Sequence, residues 1–108
     1  MRSVAIVGVG ITEQKFMTSD DIITYVYKIT RRALENTGLD ISDISEVVLA
    51  ASDLYDGRSI SNMYGCTGAG TAAKVLKGNG KLTEDSIYAV AFGYMLVSSG
   101  HHDIVLVV

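Results

Sequence analysis

The chain of 108 residues contains no proline and a single cysteine, Cys66. With no proline, no low-complexity segment and no internal repeat, nothing marks a linker, and the length suits one small domain spanning residues 1–108. One thiol can form neither an internal disulfide nor, alone, a zinc site, which fits a reducing, cytoplasmic setting. Positive charge is also scarce: nine Lys and Arg stand against twelve Asp and Glu, a formal net charge of −3. Nucleic-acid binders cluster basic side chains to displace counterions, so a nucleic-acid partner is not expected. Long hydrophobic runs are missing too. The longest nearly uncharged stretch, Ser86 to Gly100, is about 15 residues, against about 20 for a membrane span. The start, Met1 to Gly8, reaches glycine too soon for a secretory signal, so no membrane partner is expected either.

What is present is a core-forming composition, 48% hydrophobic and 19% charged. Ser3 to Val9 is a continuous, β-branched apolar run closed by Gly10, the pattern of a strand covered on both faces. Ser19 reads as an N-cap, and Ile22, Tyr25, Val26, Ile29, Ala33 and Leu34 recur at helical spacing until Gly38 stops the helix. Asp40 to Ser45 is a polar connector with room for one helical turn, and Glu46 to Ala51 is a second buried strand. Between Asp53 and Gly80 the glycine-rich sequence allows short helices near Ser61–Met63 and Thr71–Lys77. Thr83, Glu84 and Asp85 then mark a helix start, and Asp103 to Val108 reads as the third strand. Ile87 to Val97 is apolar almost all the way round, as expected of a helix inside a larger structure. The closing run Ile104–Val108 carries no polar tail, so a longer chain or a partner is expected to complete the fold. Together these elements predict an α/β fold with a largely parallel core.

Several residue groups carry possible chemistry. Gly8-Val9-Gly10 follows an apolar run, but a dinucleotide fingerprint needs a third glycine where Glu13 stands, so a tight strand-ending turn is preferred. Gly65 to Lys74 lacks the Gly-Lys-Ser/Thr ending of a phosphate loop, leaving close packing or a mobile loop. Cys66 could act as a nucleophile if a helix end or a histidine lowered its pKa; in its Gly/Ala surroundings the plainer role is a small buried residue. His101 and His102 could supply a base, or merely complement a helix C-terminus, and no third ligand suggests a metal. Asp53-Leu54-Tyr55-Asp56-Gly57-Arg58 follows a strand's carboxyl end, where α/β sites form; a salt-linked loop is the competing reading.

The ordered pattern resembles the thiolase superfamily, in particular its sterol-carrier-protein-type and archaeal acetyl-CoA acetyltransferase-like branch. The likeness lies in Val4-Ala5-Ile6-Val7-Gly8-Val9-Gly10 with Ile11-Thr12 and Phe16, and in Ala33-Leu34 leading to Gly38-Leu39. It continues through Ile44 and Val47–Ala51 to Ser99-Gly100, Asp103 and the final Val/Leu run. It covers essentially the whole chain but only about the first quarter to third of a thiolase. The resemblance implies part of the N-terminal half of a layered αβαβα fold. It also implies oligomerisation and Claisen or retro-Claisen acyl transfer on coenzyme A thioesters, with coenzyme A as substrate and no covalently bound cofactor. In that family a cysteine opens the buried helix, where the helix dipole favours its thiolate. Counting back from Ser99-Gly100, that position falls near Thr83, in Thr83-Glu84-Asp85-Ser86, which offers no thiol and two anions that oppose one. Cys66 lies too far upstream to replace it by a register slip. The resemblance therefore leaves room for a homo-oligomer or a completing thiolase subunit, for a non-catalytic scaffold, and for a cysteine-independent retro-aldolase with an OB-fold zinc-ribbon partner.

Overall fold

In the computed structural model, residues 1–15, 19–57, 67–69, 79–83 and 86–108 are described. Helix α1 (Ile22–Leu34) comes first, followed by one 3₁₀ turn (Ile41–Asp43) and strand β1 (Glu46–Ala51). A single-turn helix α2 (Asp53–Asp56), strand β2 (Asn79–Thr83), helix α3 (Ser86–Ser98) and strand β3 (Val105–Val107) complete the order. The sheet has the order β2-β1-β3, with β1 parallel to both neighbours; Ala51 lies beside Thr83, and Val47 beside Leu106.

Alternation along the strands divides the core between two layers of helix. Val47, Leu49 and Leu106 point to one face, where they pack with Val26 of α1 and with Ile44. Val48, fully buried, and Val107 beside it point to the other face. There α3 lies so close that a Cβ on Gly93 would come within 2.8 Å of the Val107 Cγ2 methyl. The α/β fold and parallel core expected from the pattern are thus present, as a sheet between two helices of 13 residues each.

The expected strand over Ser3–Val9 is not formed. The segment belongs to no sheet among the described residues, and Ile6, Val7 and Val9 are exposed. β1 already has a neighbour on each side, so no seat beside it is vacant. Instead the segment lies against α1, where glycine lets two backbones meet: a Cβ at Gly8 would sit 2.0 Å from the Ala33 carbonyl oxygen, and one at Gly10 2.3 Å from that of Ile29. Thr12 and Tyr25 share a hydroxyl–hydroxyl hydrogen bond, and Arg32 donates to the Ile11 carbonyl at 2.6 Å, fastening the end of the segment.

Other boundaries shift for local reasons. Asp21, not Ser19, caps α1, its Oδ1 accepting from the Thr24 amide at 2.6 Å. The helix ends at Leu34, before Gly38, because Asn36 already turns into the left-handed region at φ 63°. Asp40 and Asp43 form a reciprocal capping box around the 3₁₀ turn in the expected connector. The strand expected over Asp103–Val108 is shorter, Val105–Val107, and β2 was not anticipated at all. The helix expected to start at Thr83 starts at Ser86, because Thr83 closes β2. The short helices expected near Ser61–Met63 and Thr71–Lys77 lie outside the described residues.

Candidate functional site

Parallel strands all end at one edge, and ligand sites in open α/β sheets form there. Here that edge is built from the end of β1, the end of β2 and the start of α3. β1 runs out through Ala51 into Ser52, which precedes α2; Gly57 then ends α2 in the left-handed region at φ 62°. Because Ala51 pairs in register with Thr83, the close of β2 lies beside Ser52, and α3 opens three residues later. The Ser52 hydroxyl is buried without a hydrogen-bond partner among the described residues, and it does not cap α2. A buried hydroxyl in that condition loses hydration without recompense, so it is a polar group available to a ligand at this edge.

The sequence candidates distribute unevenly around this edge. Asp53 sits half-buried at the start of α2, as its position after a strand suggests, whereas Leu54 is fully on the outside. The backbone of Tyr55 and Asp56 continues the turn; Arg58 and Cys66 lie outside the described residues. Thr83 reaches the edge as the last residue of a strand, not the first of a helix. The two histidines are at the opposite end. His102 Nε2 lies 3.9 Å from Glu46, the first residue of β1, and His101 meets the Ser99 hydroxyl at 3.1 Å. Ser52 lies six steps along the chain from Glu46, about 20 Å at ~3.3 Å per step, so neither histidine can exchange a proton with groups at the carboxyl edge. Among the described residues, no three His, Cys, Asp or Glu side chains gather as metal ligands.

The helix C-terminus that the histidines were considered to complement is served by Arg2. Its amide donates to Ser98 and its Nε to Val97, while the guanidinium reaches the His102 carbonyl at 2.9 Å and Asp103 at 2.6 Å. A fixed cation against exposed carbonyls stabilises the negative end of α3. Sequence reasoning missed this residue because a contact across 95 positions leaves no local pattern. Gly8 and Gly10, considered for a nucleotide loop or a tight turn, serve neither purpose: neither has positive φ, and both are spent on the approach to α1.

A depression lies between the N-terminal segment and α1. Lys15, Lys28 and Arg31 line it together with Glu13, Asp20 and Glu35, and Lys28 is bonded to Asp20 at 2.6 Å. Opposite charges interleave there, so the surface has no strong pull on a polyanion.

No helix among the described residues is long and apolar enough to cross a membrane. No model of a known protein family matches the chain, and no curated protein matches it.

Proposed function

We propose that this chain is a thiolase-like α/β unit of an acyl-CoA acyltransferase, with other segments or subunits supplying the nucleophile and the bases. The observation that carries this reading is α3. It starts at the carboxyl edge of a parallel sheet beside Thr83, and it is apolar on the side facing away from that sheet as well as on the side facing it. A helix of that composition suits the central layer of a layered αβαβα assembly. The substrate is a coenzyme A thioester, not a resident cofactor, and the single cysteine suits a cytoplasmic enzyme.

A second reading, a silent scaffold, is favoured by one specific feature. The residues ahead of α3 in the sequence are Thr83-Glu84-Asp85, without a thiol and with two anions. A cysteine-independent retro-aldolase beside an OB-fold zinc-ribbon subunit is the catalytic variant compatible with the same feature.

The test is thiolysis of acetoacetyl-CoA by the isolated chain and by the protein recovered with its native associates, each also as Cys66→Ala and Thr83→Ala. The proposal expects no turnover from the isolated chain and turnover from the assembly that survives both substitutions. Acyl-CoA binding without turnover in the assembly selects the scaffold. An assembly that neither binds nor turns over a coenzyme A thioester overturns the proposal.

A further inference from the structure

We propose that segment 3–9 is a strap with two seats: the flank of α1, where it lies in this structure, and the outer edge of β3, where it adds a fourth, parallel strand. The proposal concerns how the sheet is closed and does not depend on thioester chemistry.

Little holds the segment where it lies. From residue 3 to residue 10 no backbone amide or carbonyl has a hydrogen-bond partner among the described residues. Ile6 is 80% exposed, Val7 66% and Val9 68%. Its hold on α1 consists of the glycine contacts at Ala33 and Ile29 and the fastening of Ile11 and Thr12 just beyond. A β-branched run with its main chain unpaired is a strand that lacks a ladder.

A ladder with a vacant side stands at β3. Main-chain bonds join Val108 to Val48 at 2.9 Å and to Ala50 at 2.7 Å, so position 108 turns its polar groups toward β1. Strand alternation turns those of Leu106 the same way and those of Val105 and Val107 outward. On that outer side β3 has no neighbour among the described residues. Folded proteins cover or blunt such apolar edges, which otherwise accept any incoming strand.

Arg2 connects the strap to this edge. Its amide donates to the Ser98 carbonyl at 3.0 Å, and its guanidinium holds the His102 carbonyl and Asp103. The segment therefore leaves the fold at the amino end of β3, and a strand that begins there runs parallel to it. So short a tether keeps the strap at an effective concentration of about millimolar, ahead of a strand from another molecule. The two glycines set the balance between the seats. They permit the close approach to α1, where a Cβ at Gly8 would meet the Ala33 carbonyl oxygen, and they weaken the same residues as a strand. On α1 the strap leads into Thr12, Glu13 and Lys15, which wall the charged depression; on β3 it withdraws that wall and closes the sheet edge.

Amide hydrogen exchange followed by NMR on the full chain reads both seats at once. Gly8→Ala excludes the segment from the Ala33 carbonyl. It is expected to slow exchange at Val105 and Val107, and at alternate residues of the strap, by about tenfold or more against the unsubstituted chain. Leu106, which faces β1 in either seat, is the internal control and should not change. Arg32→Ala only releases the Ile11 carbonyl, so it should act in the same direction by about threefold, and it decides the matter if Gly8→Ala does not fold. Unchanged exchange at Val105 and Val107 in every variant that folds overturns the proposal. So does a strap that leaves α1 without those two amides gaining protection.

Discussion

Helices α1 and α3 have the same length and flank the same three strands, yet they meet the outside in opposite ways. Away from the sheet α1 presents Tyr27, Lys28, Arg31 and Arg32, exposed and mostly charged, with Arg32 tied to the Ile11 carbonyl of the N-terminal segment. α3 presents Ile87, Tyr88, Val90, Tyr94 and Met95 and no charge. Both inner faces meet the same strand, so packing against the sheet does not explain the difference. The difference lies in the outer faces themselves, charged on α1 and apolar on α3, and the proposed layered assembly would cover the second.

The largest effects should come from β1, on which both helices depend. Leu49, on the α1 side, is buried, and Leu49→Ala should lower unfolding free energy by about 2–5 kcal/mol in chemical denaturation. Val48→Ala, on the α3 side, removes fewer atoms and should lower it by about 2 kcal/mol. If the Val48 substitution were silent while Leu49→Ala was severe, α3 would not be packed as described.

Next come the glycines that let backbones touch. Gly8→Ala should destabilise by about 1–3 kcal/mol, because the added methyl meets the Ala33 carbonyl and the N-terminal segment must lift from α1. Gly93→Ala should have the smaller effect, since its methyl meets the tip of the Val107 side chain, which can turn aside. Thermal melts of the two variants compare the fastening on the α1 side with the packing on the α3 side.

Smaller again is the cap. Asp21→Ala should remove about 1 kcal/mol through loss of the bond to the Thr24 amide, seen as faster amide exchange in the first turn of α1 alone. Arg2→Ala, whose ion pair with Asp103 is largely exposed, should alter global stability by less than about 1 kcal/mol while speeding exchange in the last turn of α3.

The parts of this fold legible in the sequence are those that carry periodicity. The apolar spacing from Ile22 to Leu34 and the run Glu46–Ala51 each became the element they suggested, because each buries a defined face. β2 was hidden because Asn79, Gly80 and Lys81 are poor strand formers; only the pairing with β1 makes them a strand. Ser3–Val9 misled for the opposite reason: its composition is that of a strand, but β-branched residues cannot specify a partner, and the sheet edge beside β1 went to β3. The site was readable only in part. Asp53 stands after a strand end as its position implies, whereas the burial of Ser52, the pairing of Thr83 with Ala51 and the service of Arg2 to α3 are long-range consequences that no local pattern encodes.

The contrast between the two helices offers its own control. Tyr27 on α1 is 51% exposed in the single chain and Tyr94 on α3 is 49% exposed, so both should react alike if the chain stands alone in solution. Hydroxyl-radical footprinting of the native protein compares them directly. Several-fold protection of Tyr94 relative to Tyr27 is predicted if, as proposed, α3 lies in the central layer of a larger assembly; equal labelling of the two tyrosines would contradict that.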